Sequence, residues 1–497
     1  MAAMTNGAND ASPPSSTELP PPARTEAPAR LHQVVVLASP GAGHLIPLVE
    51  LVRRLAVDHG LAVTVVTLTG MSNPATDAAV LASLPASVAT AVLPAVSVDD
   101  DTHTIELVRR SLPHLRALME GLRGGWSPAA ALVCDFFGTA ALPLAAELGV
   151  QGFVFLPNSF AMISIMRHIA ELHGGDAAGE YRDLPDQLQL PGALALRHAD
   201  LPDGFRDRAD PTYAYHVEEA RRYGGADGFL VNSFEELEIA MAESFKRDAE
   251  DGAFPPVFPV GPIVRPSSSG EEDDKSGCLE WLDRQPEGSV VYVSFGSGGA
   301  LSVQQTAELA AGLEASGQRF LWVVRMPSLD GANNNFAEMD DKDDPLAWLP
   351  EGFLERTRGR GLAVAAWAPQ VRVLAHRATA AFVSHCGWNS TLESVAAGVP
   401  MVAWPLYAEQ RVNAVILTEV AGVALRPATH RDGGLVAREE IAAAVRELVE
   451  GEKGSAVRCR ARELREAAAQ AWSPEGSSRR ALAEVAGKWK AALVDGN

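Results

Sequence analysis

The chain has 497 residues and carries 63 acidic against 42 basic side chains, a formal net charge of −21. That length allows two or three domains, each able to bury a substantial core. The acidic balance argues against a nucleic-acid or anionic-membrane binder, because both recruit basic patches, and any phosphate must be held locally by dipoles and hydrogen bonds.

Residues 1–30 are rich in Pro, Ala, Ser and Thr and lack an apolar h-region, so they are expected to form a disordered tail and not a signal peptide. The longest apolar candidate, residues 131–157, is interrupted by Asp135, Pro143 and Glu147 and does not read as a membrane span. The four cysteines, Cys134, Cys278, Cys386 and Cys459, form no CxxC pair, which suits a reduced cytoplasmic protein.

Residues 34–39 (VVVLAS) read as a buried strand and 40–44 (PGAGH) as a loop. An amphipathic helix is predicted over 45–59 and a second strand over 61–69, which completes a βαβ unit. GAGHLI lacks the third glycine of a dinucleotide fingerprint, and the chain contains no GxxxxGK[ST] and no GxSxG. The loop offers His44 instead, at the C-terminal end of a strand beside small residues that leave room for a substrate. Residues 131–137 (ALVCDFF) read as another buried strand with Asp135 inside its apolar run. A buried carboxylate is costly unless paired, so Asp135 needs a dedicated partner. It either accepts backbone N–H groups of a neighbouring loop or holds the His44 imidazole in one tautomer and stabilises its imidazolium, as a triad carboxylate does. Ser39 can assist orientation there or serve as an ordinary turn residue.

Apolar periodicity gives way to Pro, Ser and charge over 261–277, where the two halves are expected to join. Residues 289–299 (SVVYVSFGSGG) read as a buried strand running into a Gly-rich loop, with a helix over 302–316 and a strand over 320–325. Small residues let backbone N–H groups approach phosphate closely, and Ser297 is the candidate contact. Further on, a strand is predicted over 381–384, a tight loop over 385–388 and a helix over 389–397 closed by Gly398 and Pro400. Ser390 and Glu393 have the spacing of a capping box, which predicts a helix start near Asn389. Such a start presents free N–H groups and about half a positive charge to a pyrophosphate. His385, Asn389 and Ser390 can add their side chains to that cradle. Cys386 adjoins His385, but sequence neighbours rarely face each other as nucleophile and base. The acidic runs at 99–101 and 340–344 read as solvated loops, and no D-x-D ends a buried strand, so no metal is expected.

The 44-residue run from Trp367 to Gln410, WAPQVRVLAHRATAAFVSHCGWNSTLESVAAGVPMVAWPLYAEQ, resembles the signature box of the plant UDP-dependent glycosyltransferases over its whole length, and the similarity extends across nearly the entire chain. The resemblance implies an α/β protein of two doubly wound, Rossmann-like domains facing across a cleft, the GT-B architecture. Residues 31–260 would bind mainly the acceptor and 280–472 mainly the donor, with a linker over 261–279 and a last helix, 473–497, crossing back to the first domain. By the same resemblance Trp367 would stack on uracil, Ala368 and Gln370 reach the base edge, and Glu393 bind the ribose. His385, Asn389 and Ser390 would hold the phosphates, Trp388 would line the sugar pocket, and Glu409 and Gln410 would bind sugar hydroxyls. SPGAGH and VCDFFG match the family's base, His44, and its orienting acid, Asp135.

Many members have Asp where this chain has Glu409; that variant, within PLYAEQ, resembles the hydroquinone (arbutin-forming) and related phenol glucosyltransferases in particular. Gln at position 410 goes with glucose, as His there goes with galactose. The expectation is an inverting, metal-independent transfer of glucose from UDP-glucose, a co-substrate and not a cofactor, to a small phenol by a cytoplasmic monomer. Ser39, Phe136, Phe137, Phe160, Met162 and Tyr407 are candidate acceptor contacts, although aromatics at such places suit a core equally well. Two other readings stay open: a transferase using another sugar or a flavonoid or amine acceptor, and a UDP-sugar binder without turnover. A hydrolase or dehydrogenase is disfavoured by the missing fingerprints.

Overall fold

The computed structural model describes residues 33–70, 74–97, 104–123, 129–174, 187–191, 194–207, 209–265, 274–329, 344–428 and 434–492. The predicted tail, the acidic run at 99–101 and residues 340–343 of the second run lie outside them, as do residues 266–273 of the linker.

Two parallel sheets carry the molecule. The first contains β1 (Gln33–Ala38), β2 (Ala62–Thr67), β3 (Ala89–Val92), β4 (Ala129–Asp135) and β5 (Gln151–Leu156). A small antiparallel pair, β6 (Gln187–Leu190) and β7 (Leu194–Arg197), stands apart, and β8 (Gly228–Val231) and β9 (Val257–Pro259) complete the first sheet in the order β3-β2-β1-β4-β5-β8-β9. The second sheet contains β10 (Val290–Ser294), β11 (Arg319–Val324), β12 (Gly361–Ala365), β13 (Thr379–Ser384), β14 (Met401–Ala403) and β15 (Ala424–Leu425), ordered β12-β11-β10-β13-β14-β15. β1, β4, β10 and β13 are apolar almost throughout, as parallel strands covered on both faces by helices must be.

Both sheets reverse their strand order at one place, between β1 and β4 and between β10 and β13. Such a switch point opens a crevice at the carboxyl ends of the strands. Since β1 pairs with β4, with Leu37 opposite Cys134, the ends of the two strands lie side by side although about a hundred residues of chain separate them.

The helix Ser477–Ala492 belongs to the first sheet's core. Its Leu482, Val485, Ala486 and Trp489 join the apolar cluster of Val34, Val36 and Phe153, and the Trp489 and Phe153 rings meet edge-on at 5.2 Å. Burying each such large apolar side chain stabilises the fold by about 1.5–3 kcal/mol. The Trp472 indole donates to the Pro262 carbonyl at 3.0 Å, and Ser478 Oγ to that of Gly261 at 2.5 Å. The chain therefore returns to its first half after finishing the second.

Glu238 and Glu219 are among the buried carboxylates of the first half. Glu238 accepts from Ser233 Oγ at 2.6 Å and from the N–H groups of Phe160 (3.2 Å) and Ala161 (3.3 Å), which caps the helix Phe160–Gly174. Glu219 binds Thr139 and Arg222. Burial pushes both carboxyls up to about 7.

Candidate active site

The first helix, Ala42–Val57, begins three residues before the predicted start, so His44 occupies its first turn and not the loop. Gly41 makes this possible: at φ 107 it turns the chain off β1 in a conformation that only glycine adopts easily, and its carbonyl accepts from the His44 and Leu45 N–H groups. Asp135 is likewise the last residue of β4, where its side chain accepts from the Phe137 N–H at 3.2 Å and turns the chain into a 3-10 segment. The His44 Nδ1 lies 3.0 Å from Asp135 Oδ2, with the imidazole 23% and the carboxylate 1% exposed. Ser39 completes the arrangement through its hydroxyl, 2.5 Å from Asp135 Oδ1, and its N–H, 3.3 Å from Oδ2. Asp135 therefore binds backbone N–H groups and the His44 imidazole at the same time. With Nδ1 facing a carboxylate the proton resides on Nδ1, and Nε2 is left as a base.

The second half presents its loops from the equivalent place. The helix Trp388–Ala397 has Gly387 as its N-cap and no side-chain cap, so the predicted capping box does not form. The helix starts before Ser390, and the Ser390 hydroxyl and Glu393 carboxylate are drawn sideways, each accepting from Gln370 Nε2, at 2.8 and 2.7 Å. The first-turn N–H groups of Trp388, Asn389 and Ser390 are thereby left facing the cleft end of the helix. His385 fills the space between two glycines: a Cβ on Gly296 or Gly387 would come within 2.5 and 2.4 Å of its Nε2. Burial lowers its pKa to about 4, so this imidazole is neutral. Cys386 is fully buried in the left-handed region (φ 64), and burial pushes its thiol up to about 12, which removes it as a nucleophile.

The halves meet at these two places. Asn389 Nδ2 donates to the Gly43 carbonyl at 3.0 Å, next to His44. That carbonyl is available because Pro47, four residues on, has no N–H to close the helical turn on it. Glu409 N-caps the helix Gln410–Val415, and burial pushes its carboxyl up. Trp367 is 53% exposed, a large indole face open to solvent.

A family model described as UDP-glucoronosyl and UDP-glucosyl transferase matches residues 267–458. The hydroquinone glucosyltransferase of Rauvolfia serpentina is 46% identical over 464 residues, 92% of this chain and 97% of that protein. The chain belongs to the plant family 1 UDP-glycosyltransferases. UDP-glycosyltransferase 72B1 of Arabidopsis thaliana is 45% identical over 467 residues, covering 92% of this chain and 96% of its own. Among solved structures, Phytolacca americana UGT2 complexed with UDP-2fluoro-glucose and pterostilbene superimposes with a TM-score of 0.83 at 41% identity, covering 92% of this chain and 100% of the other. The two sheets and their facing switch points are accordingly those of a GT-B transferase.

Several expected contacts of the transferase have other partners. Trp388 is 3% exposed and its indole donates to the Asn232 carbonyl at 2.7 Å, so it joins the halves and does not face a sugar. Gln370 is spent on Ser390 and Glu393 and accepts from the Tyr292 hydroxyl at 3.3 Å. Ser39 is turned inward on Asp135. Phe136, Phe160 and Met162 are buried in the first half's apolar cluster, Phe160 stacked on Phe245 at 6.1 Å; they are core, because an apolar ring on an inward-facing turn is covered by the helices around it. Of the acceptor candidates, Phe137 is in ring contact with His44, at 4.8 Å. Tyr407 is half-buried beside Glu409, its phenol pushed up to about 12 by burial and then by the Glu409 charge. Ala368 is buried, and Ser297 is exposed at the tip of the loop after β10.

Gln410 is buried, its Oε1 accepts from the N–H groups of Leu406 (2.9 Å) and Tyr407 (3.2 Å), and its side chain also hydrogen-bonds the Tyr407 phenol. Ala408, between these groups and Glu409, sits at φ 53, a conformation that costs an L-residue about 1–2 kcal/mol. Sequence reasoning missed Asn232, Asp203 and Arg411 altogether; no local pattern marks them, since each acts on a residue of the other half or on the turn beside the joint. Pro47 is different: a proline four residues after Gly43 in a predicted helix already signals an unclaimed carbonyl. Among the described residues no helix is long and apolar enough to cross a membrane, and no group of three or more His, Cys, Asp or Glu side chains could hold a metal ion.

Proposed function

We propose that this transferase moves glucose from UDP-glucose to the hydroxyl of a small phenol with inversion, giving a β-D-glucoside, without a metal. The observation that carries this reading is the His44–Asp135 pair with the adjacent Gly43 carbonyl hydrogen-bonded to Asn389 in the first turn of the helix Trp388–Ala397. A base on one half thus faces a helix start suited to a diphosphate on the other. Uracil stacks on Trp367 beside Ala368, and Glu393, one oxygen held by Gln370, takes the ribose. The diphosphate takes the backbone N–H groups of Trp388, Asn389 and Ser390, with His385 and Ser297 beside it. Glu409 and the Gln410 amide hydrogens take the sugar hydroxyls.

A phenol of pKa about 10 facing an imidazole of about 6.5 makes full proton transfer before attack cost roughly 5 kcal/mol. His44 Nε2 therefore takes the proton as the phenolic oxygen attacks the anomeric carbon, and UDP leaves from the opposite face. Asp135 stabilises the imidazolium as it forms. Holding the two substrates in line supplies about 7–11 kcal/mol of barrier reduction. The relatives named for hydroquinone and crystallised with pterostilbene support a phenolic acceptor, with Phe137 and Tyr407 as its nearest aromatic neighbours. Free cysteines, three of them buried, suit a monomer in the reducing cytoplasm. The test is a panel of phenols and aromatic amines with UDP-glucose and UDP-galactose, scored by product mass, for the protein and for His44→Ala. Phenol glucosides from the protein and at least a hundredfold fewer from His44→Ala are expected; undiminished product from His44→Ala refutes the assigned base.

A further inference from the structure

We infer that Asp203, on the acceptor half, is a positioning residue for the donor sugar: it holds the turn that presents Glu409 and Gln410. The inference rests on the reading that these two side chains bind the sugar.

Asp203 opens the short 3-10 turn Asp203–Phe205 and reaches across to the second half with both oxygens. Oδ2 accepts from the Ala408 N–H at 3.0 Å, and Oδ1 accepts from Arg411 Nη1 at 2.8 Å. Arg411 also donates through Nη2 to the Leu406 carbonyl at 3.2 Å, and Arg206 pairs with the same Asp203 oxygen. One carboxylate therefore grips the segment before Glu409 and the side chain after Gln410, bracketing the two sugar-binding positions. The N–H groups of Leu406 and Tyr407 are taken by Gln410 itself, and that of Ala408, the strained residue, by Asp203 alone among the bonds described. Gln410 fixes the turn from within and Asp203 fixes it from the opposite half.

The Asp203 side chain is 42% exposed, and ion pairs this open add little to global stability. Its effect is on local geometry, where a small displacement of two buried hydrogen-bonding groups is felt by a sugar. A second ion pair across the joint supplies the control. Buried Asp200 binds Arg197 at 2.8 Å and Arg426 at 3.4 Å, and none of the hydrogen bonds described joins it to residues 406–411, although its charge acts on Arg411. It joins the halves without bonding the turn. The sugar site is complete only while the acceptor half is docked on it.

The experiment compares dissociation constants for UDP and UDP-glucose without acceptor, and kcat with it, for Asp203→Ala, Asp203→Asn, Asp200→Asn and Gln410→Ala. Asp203→Ala is expected to weaken UDP-glucose about tenfold, to leave UDP within about twofold, and to keep the thermal midpoint. Asp203→Asn, which keeps one oxygen for Ala408, falls between, and Asp200→Asn shifts UDP and UDP-glucose together. Should Asp203→Ala fail to fold, Arg411→Lys, which retains the charge but not both donors, is expected to show the same sugar-selective loss at smaller size. Equal weakening of UDP and UDP-glucose, or none, in the Asp203 variants while Gln410→Ala is sugar-selective overturns the inference alone. A Gln410→Ala protein that still distinguishes UDP-glucose from UDP as before overturns the sugar reading and the inference with it.

Discussion

Replacing Asp135 with Asn changes one atom and keeps the shape, so it isolates the part played by the carboxylate. Asp135 accepts from four donors: Ser39 Oγ (2.5 Å) and Phe137 N–H (3.2 Å) at Oδ1, and Ser39 N–H (3.3 Å) and His44 Nδ1 (3.0 Å) at Oδ2. An asparagine can keep the first pair with its carbonyl, and its NH2 group then occupies the position of Oδ2. There it opposes the Ser39 N–H and obliges His44 Nδ1 to accept, which puts the proton on Nε2, the atom that must receive one. Restoring the useful tautomer sets donor against donor in a buried place, at about 1–3 kcal/mol, and the developing imidazolium loses a charge-assisted bond of about 1.5–3 kcal/mol. Together these predict a fall in kcat of about 10²–10⁴-fold. The same substitution in the serine-protease triad lowers kcat about 10⁴-fold. Initial rates with UDP-glucose and phenols of decreasing pKa provide the assay. The deficit should shrink steadily and be smallest for a nitrophenol already ionised at the assay pH, which needs no base. A deficit equal for hydroquinone and nitrophenolate, with UDP affinity unchanged, would refute the base assignment.

Pro47→Ala supplies an N–H that competes for the Gly43 carbonyl bound by Asn389, so kcat/KM should fall about 2- to 10-fold while the thermal midpoint holds or rises; unchanged kcat/KM would show that the bond between the halves is idle. His385 is held near 4 against an unfolded value of about 6.5, so it stays neutral, and UDP-glucose affinity should be flat from about pH 5.5 to 8 by calorimetry. Affinity that climbs as pH falls through this range would mean that an imidazolium holds the phosphates. Glu238 has the opposite sign: its carboxyl is raised to about 7 from 4.5, so its contribution to stability is full below 4.5 and is lost as pH rises through 7. Urea unfolding should show the wild type losing on the order of 2–3 kcal/mol more than Glu238→Gln between about pH 5 and 8, and parallel curves would contradict the assignment.

Much of this protein follows from local sequence. The apolar runs of β1, β4, β10 and β13 and the glycines after β1 and after β10 mark strands and loops to within a few residues, because buried parallel strands and positive-φ turns tolerate few other residue types. The pairing of His44 with Asp135 was legible for a similar reason: a carboxylate inside an apolar strand demands a partner, and the family pattern named one. Local signals misled where a distant group competed for the same atom. Ser390 and Glu393 have the spacing of a cap, yet Gln370 Nε2 takes both; Trp388 has the place of a sugar-pocket wall, yet Asn232 takes its indole proton. The sequence alone therefore determined which elements form and that Asp135 needs a partner such as His44. Tertiary structure alone decided which side chains are already occupied, and how Gly43, Asn232 and Asp203 bind one half to the other. Hydrogen-bonding capacity is finite, and the partners that use it up lie as many as 346 residues away along the chain.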